Sequence, residues 1–330
     1  MSDRRVLITG LGPVSVAGVG PEAMAAGLSR PADALAESVG ELNLAASLAS
    51  AKTYLDRNSQ LGLLAASLAL EEAGLRPIPQ GLEVGVSFGT AWGNVRTEEM
   101  FLRALAEKGP RLASPLLFIH SYPNTTSSLM AIEWGLSGRA LNFCTGRSAG
   151  AEAILAAASA VADGAAQAML AGAAEAVDGL TATPGFREAA GMMVLESPAS
   201  ASTREAVIYA ELRAWTRGSA GIARDPAACV RAALSHAGLS ATELDAVLLD
   251  ADGAGLDPDL AEAFGTARQI DLRGYVGRTA SAGAALAVIT AAQALEARRL
   301  PEGLGGSQVR NILVVSSGVF DAAFVLTRFQ

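Results

Sequence analysis

Cysteine and histidine are nearly missing from this chain of 330 residues, which has two of each. Cys144 and Cys229 are too few for a disulfide framework or a zinc site. Any mechanism that needs two histidines must recruit both His120 and His236. A basic excess is missing as well: 25 Lys and Arg stand against 33 Asp and Glu, for a net charge of −8. With no positive surplus to neutralise phosphates, nucleic-acid binding is not expected. No charged n-region and apolar h-region stand at the start, where "MSDRRVLITG" enters a strand-like run directly. Uninterrupted apolar runs of membrane length are also scarce. The alanine-rich "AGAEAILAAASAVADGAAQAMLAGAAEA" is broken by Glu152, Asp163, Gly164 and Gln167, and reads as a buried helix leading to a strand. The expectation is a cytoplasmic protein with no metal, no cofactor and no membrane partner.

What is present is an apolar fraction of 51%, enough for a large core in one big domain or two similar ones. Strand-like runs, helix-like runs and glycine turns alternate, which favours an α/β architecture. "VLITGLGPVS" reads as a strand, "SQLGLLAASLALEEAGL" as a helix stopping at Ala73-Gly74, and "LEVGVSFGTAWGN" as strand then loop. Residues 178–203 are rich in turn formers and form the best candidate boundary. Beyond them the pattern restarts. "CVRAALSHAGLSATELDAVLLDADGAG" repeats the order helix, Ala-Gly-Leu stop, strand and glycine loop. "GYVGRTASAGAALAVITAAQAL" repeats the passage "NFCTGRSAGAEAILAAASAVA", and places Gly277-Arg278-Thr279-Ala280 against Gly146-Arg147-Ser148-Ala149. An internal duplication follows, with one half over residues 1–190 and the other over 191–330.

Two such halves resemble the thiolase fold, and more narrowly the β-ketoacyl synthase family. The resemblance runs through "RRVLITGLGPVSVAGVG", "YPNTTSSLMAIEWGLSGRALNF", "AMLAGAAEAV", "AVIYAELRAW" and "ALEARRLPEGL". It implies an α/β chain with an αβαβα layered core built from two pseudo-twofold-related βαβ-rich halves. Family members condense acyl units with one cysteine at a helix N-terminus and two histidines. Matched motif by motif, the cysteine of Thr-Ala-Cys-x-Ser-Gly falls on Arg147 of Thr145-Gly146-Arg147-Ser148-Ala149-Gly150. The first histidine, in Glu-Ala-His-Gly-Thr-Gly-Thr, falls on Asp252 of "DADGAGL". The second, in Lys-x-x-x-Gly-His, falls on Arg278 of "RGYVGR". A guanidinium is always protonated and neither attacks a thioester nor accepts a proton, so condensation at this site is not expected. Asp252 is expected to bridge Arg147 and Arg278 as a polar plug; an anion site held by the arginines is the rival, and absence of contact among the three is a third outcome. Cys144 falls on the interface strand with Ala140 and Asn142 and reads as a buried, inert thiol. Cys229 reads the same way, and His236 as a solvent-facing residue at a helix end.

A ketosynthase fold without its chemistry resembles the chain length factor of type II polyketide synthases. That resemblance implies a non-catalytic partner of an active ketosynthase subunit in a heterodimer. The growing chain, carried by an acyl carrier protein that docks mainly on the active partner, would enter a tunnel at the interface. Phe118, His120 and Tyr122 of "SPLLFIHSYPNTTSS" would then gate chain length, alternating on one side of an extended segment. The reduced length points to polyene chains rather than aromatic products. Three alternatives stay open: an acyltransferase using Ser148, a homodimeric acyl- or carrier-binding protein, and a decarboxylating subunit that supplies primer.

Overall fold

The computed structural model of the protein describes residues 5–220, 224–250 and 258–329. Its strands are β1 (Val6–Ser15), β2 (Gly18–Val19), β3 (Val84–Gly89), β4 (Ala140–Phe143), β5 (Ala168–Glu175), β6 (Ala189–Glu196), β7 (Ala210–Ala220), β8 (Ala246–Asp250), β9 (Arg268–Asp271), β10 (Asn311–Ser317) and β11 (Phe320–Thr327). The α-helices are α1 (Pro21–Gly27), α2 (Arg57–Glu72), α3 (Val95–Lys108), α4 (Pro115–Ser121), α5 (Thr125–Trp134), α6 (Ala149–Ala162), α7 (Pro198–Thr203), α8 (Pro226–Ala237), α9 (Pro258–Ala263), α10 (Arg273–Val276) and α11 (Gly283–Glu296).

The strand order is β4-β3-β5-β6-β1-β7-β11-β10-β8-β9, with β2 paired to β1. Read inward from either end, the pairings run parallel, parallel, antiparallel, antiparallel, first in β4-β3-β5-β6-β1 and again in β9-β8-β10-β11-β7. Three antiparallel pairs, Val6–Leu212, Leu7–Glu211 and Ile8–Ala210, join the two sets. Strands β1, β3, β5, β6 and β11 are buried along their whole length, as strands covered on both faces are, whereas β4 and β9 at the two ends of the sheet are largely exposed or half-buried. The alanine-rich helices α6 and α11 pack in the middle, against the inner face of each set. Helix α2 covers the outer face of the first set and α8 that of the second. This is the expected αβαβα layering.

The repeated Ala-Gly-Leu stops have one physical cause. Gly74 and Gly238 take left-handed φ values of 66° and 68°, and the following leucine N–H turns back onto a helix carbonyl. Leu75 donates to Leu70 at 2.7 Å and Leu239 to Leu234 at 3.0 Å. Only glycine adopts that φ without cost, so both helices end at the same tripeptide.

Three expectations need correction. The turn-rich segment 178–203 contains β6, whose pairings with β5 and β1 tie residues 189–196 to the first half. A division between residues 190 and 191 therefore cuts a strand. Second, residues 115–121 are helical, not extended: Ser114 caps the helix by accepting from the N–H of Leu117, and Pro115 occupies its first turn. Third, the two Gly-Arg motifs are not structural equivalents. The 3-10 turn Gly146–Ser148 leads into α6, and Ala280–Ala282 leads into α11, each opening on a left-handed residue, Gly146 at φ 58° and Ala280 at φ 45°. Arg147 thus corresponds to Ser281, and Arg278 precedes the second turn.

Candidate functional site

The carboxyl ends of β5, β8 and β10 meet the heads of α6 and α11, and the charged positions singled out in the sequence gather there. Arg147 sits half-buried in the turn between β4 and α6. Burial lowers its pKa, the nearby Arg278 pushes in the same direction, Asp250 opposes, and Arg273 adds to the repulsion. The positive end of the helix dipole is a further unfavourable neighbour for a cation. Asp250 ends β8 with its carboxylate over the head of α11, 2.3 Å from where a Cβ on Gly283 would stand. Its Oδ2 accepts from Ser316 Oγ at 3.1 Å. Burial raises its pKa to about 6, against the pull of Ser316, Arg273 and Arg147. Arg273 forms a two-pronged contact with Asp271 at 2.9 and 2.7 Å.

Arg278 lies beside this group with its guanidinium carbon 4.5 Å from the centre of the Phe186 ring, and Phe186 meets Trp92 edge-on at 5.5 Å. Its backbone is anchored to the 185–187 segment, accepting from Arg187 N at 2.9 Å and donating to Gly185 O at 3.2 Å. Arg147 and Arg278 are therefore close enough to feel each other's charge. Asp252, expected to bridge them, lies outside the described residues. The carboxylate that the described residues place in this field is Asp250, two positions earlier. Motif matching does not single out Asp250, because it stands at the glutamate position of the histidine motif, to which no catalytic role attaches.

Two buried side chains stitch the halves together at the same place. Ser148 is 1% exposed, donates to Phe320 O at 3.2 Å and accepts from Phe320 N at 3.2 Å. Its oxygen is committed to backbone, and neither histidine lies against it: His120 packs on Tyr54, and His236 is exposed in the last turn of α8. That geometry offers no activated serine. Glu175, at the end of β5, is fully enclosed. It accepts from Ser281 Oγ at 2.6 Å, Ala91 N at 2.7 Å, Thr90 Oγ1 at 3.1 Å and Trp92 N at 3.2 Å. Burial raises its pKa to about 7 despite these four donors. The glutamate at the end of "AMLAGAAE" was visible in the sequence, but an acid inside an apolar strand was the only signal of its burial.

The supposed gate residues separate. Phe118 of helix α4 and Tyr122, just past its end, are exposed and meet edge-on at 5.2 Å, with Phe101 of α3 5.4 Å from Phe118. His120 points the other way, is buried, and packs edge-on against Tyr54 at 5.5 Å. Burial lowers its pKa, with Asp56 opposing. Strand β4 is the sheet edge, paired among the described strands with β3 alone. Ala140 is exposed and Asn142 half-buried on it. Cys144 just beyond is exposed, contrary to its reading as a buried thiol, while Cys229 is buried as expected. The Asn142 amide reaches the Cys144 sulfur at 3.4 Å. Among the described residues no helix is long and apolar enough to cross a membrane, and no group of three His, Cys, Asp or Glu could hold a metal ion.

Comparison with known proteins agrees with this architecture. Two curated relatives, the 3-oxoacyl-[acyl-carrier-protein] synthase 2 of Vibrio cholerae and that of Vibrio harveyi, are each 29% identical, over 260 and 258 residues, covering 64% of this chain and 62% of theirs. The chain thus spans somewhat less than two thirds of the length of these relatives. Among solved structures, the ishigamide ketosynthase/chain length factor superposes with a TM-score of 0.82 at 22% identity, over all of both chains. A β-ketoacyl synthase from Burkholderia phymatum gives 0.83 at 22% identity, over 99% of this chain and 100% of that one. AntDE:AntF, a type II PKS acyl-carrier protein in complex with its ketosynthase bound to the hexaketide, gives 0.79 at 22%, over 99% and 100%. These likenesses show the thiolase fold. Residues 44–221, more than half of the chain, match the family profile described as β-ketoacyl synthase, N-terminal domain, and the chain belongs to that family.

Proposed function

We propose that this chain is a chain length factor: a ketosynthase-fold subunit that performs no condensation, pairs with an active ketosynthase, and shapes the tunnel for a chain carried on an acyl carrier protein. The observation that carries the reading is Arg147. A guanidinium stands in the turn at the head of α6, where the family keeps its nucleophile, and it has no nucleophilic chemistry to offer. The neighbouring hydroxyl of Ser148 is held by Phe320 on both its donor and acceptor sides, which speaks against the acyltransferase alternative.

Two surface features support pairing. Among the described residues no strand pairs with the outer edge of β4, an edge that proteins seldom leave open. Close to it in sequence, α3, α4 and the residue after α4 expose Met100, Leu102, Leu116, Phe118, Ile119 and Tyr122. In a heterodimer built on this edge, Phe118 and Tyr122 are the better gate residues, and His120 supports α4 from inside. Co-expression with an intact ketosynthase is expected to give a stable one-to-one complex by native mass spectrometry. In a reconstituted system, Phe118→Ala with Tyr122→Ala is expected to lengthen the product. A chain that stays a homodimer beside its ketosynthase sinks the pairing; unchanged product length in an intact complex sinks the gate alone. The same product analysis decides whether the chain made is a polyene.

A further inference from the structure

At the pole of the sheet away from Arg147, a cleft of about 850 Å3 opens between the starts of β1, β7 and β10 and the end of β11. Strand β10 runs from Asn311 to Ser317, which separates this cleft from the turn touching Ser148 by about 20 Å at the usual rise per residue. The charged groups lining it are Arg5, Arg213, Arg310 and Arg328, against one carboxylate, Glu211. The whole chain has the opposite balance, 33 acidic side chains to 25 basic. Four arginines lining one cleft in an acidic protein therefore form a local inversion of charge.

The fold fixes the backbones here and leaves the side chains of Arg310 and Arg328 exposed at the cleft. Asp245 Oδ2 accepts from Arg310 N at 2.6 Å and from Asn311 N at 2.9 Å, so that oxygen is spent on main chain. Glu243 is turned to Ser240, accepting from its N–H at 2.9 Å. Arg328 N donates to Arg310 O at 2.9 Å. Arg213 gives its Nε–H to Ala237 O at 2.7 Å and reaches Glu211 only at 3.9 Å. Arg310 and Arg328 are exposed and form no ion pair among the described residues. Like charges gathered in a concave site repel one another and attract a polyanion, and the guanidinium fork matches phosphoryl oxygens two at a time. A volume of this size lies in the range of about 300–1,000 Å3 usual for small-molecule sites, and the concavity favours a small ligand over the face of an acidic protein.

We infer that this cleft binds a small organic phosphate with two or more phosphoryl groups, of nucleoside diphosphate size. The inference does not depend on the chain length factor reading. Calorimetric titration of the full chain with ADP and with inorganic pyrophosphate tests it. Both probes are expected to bind saturably at one site, with affinity that falls as salt rises. Arg310→Ala with Arg328→Ala should weaken binding at least tenfold, and the corresponding pair of lysine substitutions should weaken it less. Arg103→Ala, on α3, should leave it unchanged. Circular-dichroism melts establish that each variant is folded. The proposal is overturned if the wild-type chain binds neither probe saturably, or if the double alanine variant binds as well as wild type. Binding of an acidic polypeptide such as polyglutamate, but of neither phosphate, would also overturn it.

Discussion

The passages into the two central helices show what duplication preserved and what it released. In the first half β4 is followed by Cys144 and Thr145, then the turn Gly146–Ser148 and α6. In the second half β9 is followed by residues 272–279, including α10 and Arg278, before the turn Ala280–Ala282 and α11. The second turn is wholly buried, and its Ser281 hydroxyl reaches Glu175 of the first half. The first turn sends Ser148 inward to Phe320 of the second half but leaves Arg147 half-buried at its middle. Each junction thus supports the opposite half, and only the first keeps an opening in which a large charged side chain fits. Arg147 occupies the middle of the first turn, where its counterpart in the second, Ser281, is buried and bonded to Glu175.

The support given by the second junction is the stronger, and Glu175 is where it breaks. Glu175→Ala leaves Ser281, Thr90 and two backbone N–H groups without their buried acceptor, an expected loss of about 4 kcal/mol in chemical unfolding. A pH signature accompanies it. The folded-state pKa of Glu175, about 7, lies above its ordinary 4.5, so the folded chain holds the proton more tightly than the unfolded one. Its contribution is complete below about pH 4.5 and is lost as pH rises through about 7, a change on the order of 3 kcal/mol. Melting temperatures of the wild type should therefore fall from pH 5 to 7 relative to those of Glu175→Gln, and run parallel above pH 8. Asp250, raised to about 6, leaves a smaller slope of the same sign in both proteins. Parallel curves across the whole range would mean that Glu175 is ionised throughout.

The helix heads differ in what they press against. A Cβ on Gly150 would stand 2.1 Å from the Ser281 carbonyl oxygen, which belongs to the main chain of a buried turn. A Cβ on Gly283 would meet Asp250 Oδ1 at 2.3 Å, and a side chain can rotate away. Gly150→Ala is expected to cost about 3 kcal/mol and Gly283→Ala about 1 kcal/mol, read from denaturant midpoints at constant slope. Equal losses would show that Asp250 is held as firmly as backbone, which would make the charged cluster around it a rigid plug.

Much of this fold was legible as sequence because the duplicated elements carry strong local signals. The Ala-Gly-Leu stops at Gly74 and Gly238, the apolar strands β5 and β10, and the two alanine-rich helices all follow from propensity and pattern. What escaped had weak or competing signals. Strand β6 was hidden because "AAGMMVLE" lies between two turn-rich stretches. Helix α4 is masked because the alternation of Phe118, His120 and Tyr122 mimics an extended segment, although Ser114-Pro115 is a helix start. In the site, the substitution of Arg147 was plain from the motif alone. Its neighbourhood was not, because Asp250, Arg273 and Phe186 come together only through sheet register and the pairing of Phe186 with Arg278. The false equivalence of Arg147 and Arg278 had the same origin: four matching letters outweighed the extra residues between β9 and its turn.

The smallest effect tests that corrected equivalence. Gly146 and Ala280 open the two turns with left-handed φ values of 58° and 45°. An alanine in place of Gly146 would meet only Val319 Cγ2, at an ordinary 3.7 Å, so Gly146→Ala carries a purely conformational cost of about 1 kcal/mol. Ala280 already bears that cost in the second half. Replacing it with glycine removes the strain but loosens the unfolded chain and deletes a buried methyl group, so the expected gain is smaller, about 0.5 kcal/mol. The two substitutions exchange the residues at equivalent positions, and their effects on unfolding free energy should be opposite in sign. If both destabilise, packing of the Ala280 methyl outweighs the strain, and the second turn is held by its contacts rather than by its backbone. If Ala280→Gly stabilises while Gly146→Ala destabilises, the two turns obey the same backbone rule, and it is the side chains at their middle positions, Arg147 and Ser281, that set the halves apart.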